Sequence, residues 1–101
     1  MLDLQKLETF RVVAATQNFT QAAAVLGYCQ SSVTTHIQAL ERQLGAPLFD
    51  RNRVAKKVVL TEAGRRILEY ANRFLALAVE AKAAVHQPKS GGPIIGEGEA
   101  A

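Results

Sequence analysis

What this sequence has little of narrows it first. It contains one cysteine, Cys29, in 101 residues, which excludes a disulfide within the monomer and any multi-cysteine metal site. Its two histidines, His36 and His86, lie far apart with no carboxylate–histidine spacing around them. No metal and no cofactor is therefore expected. Tryptophan is absent and the aromatics are four Phe and two Tyr, so the core must be mostly aliphatic. Most of the seven glycines and three prolines fall beyond Gln87. They do not punctuate the body of the chain at the regular intervals a many-stranded sheet needs. The longest uninterrupted apolar stretch is Phe74–Val79, far short of the roughly 20 residues of a membrane span. Met-Leu-Asp-Leu at the start has no basic region leading into an apolar run, so no secretory signal is read. There is no nucleophile–base pair, no glycine-rich phosphate loop ahead of a helix and no paired carboxylates. The expectation is a soluble, cytoplasmic, non-enzymatic protein.

What is present points to helices. Apolar residues make up 49% of the chain, enough for one modest core, and the length suits one compact domain. Ala, Leu, Val, Gln, Glu, Arg and Lys dominate, a helix-forming mixture. A first helix is expected from Leu4 to Thr16. Asp3 is its N-cap, Leu2 and Leu7 have the spacing of a hydrophobic staple, and Leu4, Leu7, Phe10 and Ala14 form its buried stripe. Gln17-Asn18-Phe19 reads as a break, after which Thr20 caps a second helix, Gln21–Leu26. Three alanines, Ala22 to Ala24, let that helix approach its neighbours closely, and Gly27 supplies its C-cap.

The third helix, Gln30–Leu44, follows a link of only Gly27-Tyr28-Cys29 and is closed by Gly45 and Pro47. Val33, Ile37, Leu40 and Leu44 recur at steps of four, three and four, the signature of one buried stripe. Gln30, Ser31, Thr34, Thr35, Gln38 and Arg42 lie mostly on the other side. These are short hydrogen-bonding side chains plus one arginine, not the Glu/Lys mixture of an ordinary solvated face. Two helices joined by a short glycine-containing turn, the second carrying such a face, is the sequence form of a DNA-reading helix-turn-helix.

Leu48 and Phe49 then read as apolar anchors, and 51–60 as a hairpin with a basic tip and a strand over Lys57–Leu60. A two-stranded ribbon is marginal alone, so it must lie on the helices as a wing. The net charge is +3, but its placement matters more: Arg51, Arg53, Lys56, Lys57, Arg65 and Arg66 cluster against the single Glu62. Thr61 caps a fourth helix reaching about His86. Ile67, Tyr70, Phe74, Leu77, Ala81 and Ala84 follow steps of three and four along it, an a/d seam suited to a helix pair between two chains. From Pro88 onward the composition turns to a Pro/Gly/Ser-rich tail or hinge stump. The division expected is 1–61 for a winged domain, with the helix-turn-helix at about 20–44 and the wing at about 51–60. A dimerisation helix at 62–87 and a tail at 88–101 complete it.

Phe19-Thr20-Gln21-Ala22-Ala23, Gln30-Ser31-Ser32-Val33-Thr34, Ile37-Gln38-Ala39-Leu40-Glu41, Leu44-Gly45-Ala46-Pro47-Leu48-Phe49-Asp50-Arg51 and Leu60-Thr61-Glu62-Ala63-Gly64 stand in order at characteristic spacings. Together they closely resemble the N-terminal domain of LysR-type transcriptional regulators, from about Leu4 to Val85. The resemblance implies a mainly α, winged helix-turn-helix fold whose third helix enters the major groove of double-stranded DNA. It implies a homodimer through the linker helix, with higher oligomers open to a longer chain. It also implies a separate C-terminal domain of two α/β lobes that binds a small-molecule effector. These residues hold no counterpart of that domain, so the chain is expected to be an excised or truncated part. Cys29, Ser31, Thr35 and His36 differ from the usual residues at their positions, and the wing is about two residues longer than usual.

By this resemblance Gln30 and Thr34 touch bases. Gln can pair bidentately with adenine, and a Thr methyl can sit on thymine. Thr35 and Gln38 reach base edges or phosphates, and Ser31 and Ser32 lie where first-turn backbone N–H groups favour a phosphate. Thr20 joins them as a phosphate contact. Arg53, Lys56 and Lys57 are assigned to the flanking backbone or minor groove, Arg53 being best suited to a narrow groove. Arg51 is open between a phosphate contact and a structural ion pair. The competing reading is an interaction module that pairs through its long helix and titrates other proteins.

Overall fold

A computed structural model describes residues 3–50 and 57–86. Four helices occur in the order expected: α1 (Leu4–Thr16), α2 (Phe19–Leu26), α3 (Gln30–Leu44) and α4 (Glu62–His86), with strands β1 (Phe49–Asp50) and β2 (Val59–Leu60) between the last two helices. The strands pair antiparallel, Phe49 opposite Leu60 and Asp50 opposite Val59. This is a mainly helical, winged helix-turn-helix architecture. Leu2, Arg51, Arg53, Lys56, the rest of the hairpin tip and the tail from Gln87 lie outside the described residues.

Chain chemistry explains the boundaries. The Asp3 carboxylate accepts from the Gln5 N–H at 2.8 Å, capping α1. That bond, with Lys6 beside it at 3.2 Å, holds the Asp3 carboxyl below its ordinary range. Gln17 ends α1 in the left-handed region, at φ 58°, and its N–H returns to the Val13 carbonyl. α2 starts earlier than Thr20 would cap it. Asn18 is extended, at φ −158°, and its side-chain oxygen accepts from the Gln21 N–H at 2.8 Å. Thr20 therefore lies inside the first turn, where its hydroxyl is not needed as a cap. Gly27, at φ 73°, closes α2, while the Tyr28 N–H reaches back to Ala23 O.

The core sits where α1, α2 and α3 converge on the wing. Leu7, Phe10 and Val13 of α1, Ala22 and Ala23 of α2, and Val33, Ile37 and Leu40 of α3 are buried with Leu48, Phe49 and Ala71. The Phe49 ring lies 5.4 Å from that of Phe10 and 5.9 Å from that of Phe19. The stripe expected on α1 is shifted by this arrangement. Val13 is buried, whereas Leu4 is 47% exposed, because at 3.6 residues per turn it lies about 120° round from Phe10. The hairpin also differs. Its first strand precedes Arg51, since Phe49 both anchors the core and pairs, and β2 covers only the end of Lys57–Leu60.

One buried hydroxyl ties α1 to α3. Thr9, fully buried, donates to the Gln5 carbonyl at 3.1 Å and lies 2.9 Å from His36 Nδ1. Both contacts are satisfied when the ring nitrogen carries the proton and donates. Tyr28 meets the His36 ring edge-on at 5.5 Å and accepts from Gln5 Nε2 at 2.8 Å. His36 is thus a packed histidine.

α4 is seated by Thr61. Its N–H donates to the Leu48 carbonyl at 3.0 Å, its hydroxyl to the Pro47 carbonyl at 2.7 Å, and that same oxygen accepts from the Gly64 N–H at 2.9 Å. Of 25 residues in α4, only Gly64 and Ala71 are buried, and Ile67 and Leu68 are half-buried against the core. Among the described residues no helix is long and apolar enough to cross a membrane.

Candidate nucleic-acid interface

α3 turns its apolar stripe to the core and leaves the other side free. Val33, Ile37 and Leu40 are fully buried, while Gln30, Ser31, Thr35, Gln38 and Arg42 are exposed and Thr34 and Ser32 half-exposed. Gln30, Thr34 and Gln38 follow one another at steps of four, so they line one edge of the helix, with Ser31, Thr35 and Arg42 alongside. That face carries hydrogen-bonding groups of both polarities, and its one carboxylate, Glu41, accepts from the Leu48 N–H at 2.8 Å. A protruding helix of this kind, backed by a second helix, fits a groove about 12 Å wide.

The N-terminal end of α3 adds a charge preference. Its N-cap, Cys29, is extended and makes no side-chain hydrogen bond to the first turn. The macrodipole and the first-turn N–H groups leave this end favourable to an anion. Thr20 stands beside it. Its hydroxyl donates to Gln30 Oε1 at 3.0 Å, linking the two helices of the motif at its exposed surface.

At the wing, Lys57 is exposed. The Val58 N–H donates to the Gln17 carbonyl at 3.0 Å, which fastens β2 to the α1–α2 corner. Of the two basic residues opening α4, Arg65 leans on the Leu60 carbonyl at 3.5 Å and Arg66 pairs with Glu62 at 3.2 Å, both on the surface. Such exposed pairs add little stability.

The expected residues therefore fall into groups. Thr20, Gln30, Ser31, Thr34, Thr35 and Gln38 share one surface, with Ser32 turned further round the helix, and Lys57 stands on the wing. Arg51, Arg53 and Lys56 are outside the described residues. The expected seam on α4 also divides. Ile67 packs on its own core, whereas Tyr70, Phe74 and Leu77 are 54%, 46% and 60% exposed and Ala81 and Ala84 are exposed as well. Sequence reasoning missed the Thr20–Gln30 link. Its two ends are ten residues apart and only the closed turn at Gly27 brings them together, so no spacing signals it. Among the described residues no group of three His, Cys, Asp or Glu could hold a metal ion.

Known proteins resemble both the sequence and this geometry. Residues 4–65 match the family described as "Bacterial regulatory helix-turn-helix protein, lysR family". The chain is 45% identical over 86 residues to an uncharacterized HTH-type transcriptional regulator of Bacillus subtilis (strain 168), YwqM, covering 85% of this chain and 29% of that protein. It is 42% identical over 88 residues to a probable RuBisCO transcriptional regulator of Thalassiosira pseudonana, covering 87% and 28%. The chain thus spans under a third of the length of these relatives. Among solved structures, a CbnR DBD–DNA complex aligns with a TM-score of 0.77 at 34% identity, over 84% of this chain and 95% of that one. A BenM DBD complex with benA site 1 DNA gives 0.79 at 29% identity, over 84% and 96%.

Proposed function

The chain belongs to the lysR family of bacterial regulatory helix-turn-helix proteins, and we propose that it is the part of a transcription regulator that recognises double-stranded DNA by sequence. The observation that carries this reading is the exposed polar face of α3, its one carboxylate (Glu41) taken up by the Leu48 N–H, held outward by a fully buried stripe. The likeness to domains solved with DNA supports it. In this reading α3 enters the major groove, Gln30 and Thr34 contact base edges, and Thr35 and Gln38 contact base edges or phosphates. Ser31 and Ser32 take a phosphate at the helix N-terminus. The wing, through Lys57 and the basic residues Arg51, Arg53 and Lys56 of its tip, lies on the flanking backbone or minor groove.

Two chains join through α4. The support is the row of Tyr70, Phe74 and Leu77, exposed at about a quarter of a turn from the inward-facing Ala71, with Ala81 and Ala84 continuing it. An exposed apolar row of this length on one helix marks an interaction surface. The protein works in the cytoplasm, where its DNA is. The longer relatives leave room for an effector-binding domain, and a small-molecule effector belongs to that remainder.

Selection of bound duplexes from random DNA tests the reading. It should return a two-fold repeated half-site. Gln30→Ala and Thr34→Ala should each weaken the selected site by about 1–3 kcal/mol while leaving random DNA nearly unaffected. Equal losses on selected and random DNA would move both residues to the backbone and refute base reading by this face.

A further inference from the structure

We propose that Thr20 is a specificity-determining positioning residue, fixing which way the Gln30 amide faces the base it reads. The proposal rests on the reading of α3 as the DNA-recognition helix and deepens it. A glutamine amide is nearly symmetric in shape but opposite in polarity at its two ends. Only one orientation matches adenine, with the oxygen accepting from N6 and the nitrogen donating to N7. Turned over, the same side chain sets donor against donor. An unrestrained, exposed glutamine samples both orientations and must be ordered when it binds.

Here one orientation is favoured before DNA arrives. The Thr20 hydroxyl donates to Gln30 Oε1 at 3.0 Å. Asn18 caps α2, so Thr20 lies inside the first turn, exposed, with its hydroxyl turned to Gln30. The bond needs the two helices to keep their spacing, and the corner between them is rigid. Gly27 is left-handed, Tyr28 N–H bonds to Ala23 O at 3.0 Å, and Ala22 and Ala23 are buried against the core. A carbonyl oxygen has two lone pairs. With one taken by Thr20, the second and the NH2 group are left for a base. That combination of acceptor beside donor assigns Gln30 to adenine.

Random-duplex selection on the whole chain and its Thr20→Val, Thr20→Ser and Gln30→Ala variants tests this, with thermal melts to show that each variant is folded. Valine keeps the shape of threonine and removes the hydroxyl, while serine keeps the hydroxyl. The base pair whose preference is lost in Gln30→Ala should be A·T. Thr20→Val should lower discrimination at that one pair by about tenfold, within the range of a paired base contact, and Thr20→Ser should retain it. An unchanged preference in Thr20→Val would overturn the proposal. So would a uniform loss on all sequences, which would make Thr20 a phosphate contact only. A G·C pair at the Gln30-dependent position would overturn the adenine assignment. If Gln30→Ala changes no preference anywhere, base reading by α3 itself fails, an outcome distinct from failure of the Thr20 proposal alone.

Discussion

Replacing Gly64 with alanine should destabilise the protein, although alanine ordinarily stabilises a helix. Gly64 lies in the first turn of α4, and on propensity alone the change would add up to about 1 kcal/mol. The surroundings reverse the sign. A Cβ on Gly64 would run into the Leu48 carbonyl oxygen and come within 2.9 Å of Leu60 Cδ2. The first obstacle is backbone and cannot swing away. Leu48 is fully buried, next to Phe49 in the core, and the same carbonyl accepts the Thr61 N–H at 3.0 Å. Making room means moving α4 away from that segment. Overpacking costs about 1–3 kcal/mol and loss of the Thr61–Leu48 hydrogen bond about another 1. After the propensity gain, a net loss of about 1–3 kcal/mol remains. For a domain of this size that lowers Tm by very roughly 4–8 °C per kcal/mol. Circular dichroism melts at equal protein concentration should show it, the concentration being held because assembly shifts apparent stability. A Gly64→Ala protein as stable as the parent, or more so, would refute the claim that close approach of α4 to Leu48 seats this helix.

Other consequences can be measured separately. Phe74→Glu with Leu77→Glu should convert a dimer into a folded monomer in sedimentation, since both side chains are exposed on the single chain and charge would be buried only in the pair. A parent chain that is monomeric at tens of micromolar would end the pairing hypothesis. Lys57→Gln should lower affinity on all duplexes alike and make the salt slope shallower by about 0.9, one phosphate contact; an unchanged slope would free the described base of the wing from that role. The Asp3 carboxyl is held below its ordinary value, chiefly by the Gln5 N–H and then by Lys6, so its contribution to α1 exists above the unfolded pKa and fades as pH falls through the folded one. Melts of Asp3→Ala and parent should therefore differ at neutral pH and converge in acid, whereas a gap constant down to pH 2 would contradict this.

Much of the fold was legible because single residues carry strong local chemistry. Gly27 and Gly45 end helices in the left-handed conformation, and Asp3 and Thr61 cap as their side chains dictate. The α3 stripe is unambiguous because Val33 and Ile37 are flanked by polar residues and Leu40 by the small Ala39 and by Glu41. α1 is different. Val12, Val13, Ala14 and Ala15 are apolar in succession, so spacing alone permits several stripes, and packing chose the one with Val13 over Leu4. Asn18 and Thr20 are both capping types two positions apart, and only the extended backbone at Asn18 decides between them. A strand of two residues, such as Phe49–Asp50, carries no alternation to detect. The Thr9–His36 and Thr20–Gln30 bonds span 27 and 10 residues, distances at which pairing is a property of the assembled helices alone.

Helix α4 is also a lever. Its last fully buried residue is Ala71, and it runs on to His86, about 22 Å further at 1.5 Å per residue. A tilt of about 10° at the seated end would sweep the far end through about 4 Å, comparable to the 3.4 Å step between stacked bases. In a pair of chains joined along this arm, an adjustment of about 2 Å where Gly64 meets Leu48 would become a change of about one base-pair step in the separation of the two α3 helices. The spacing a dimer tolerates between half-sites is then governed by the stiffness of one small contact, far from any residue that touches DNA.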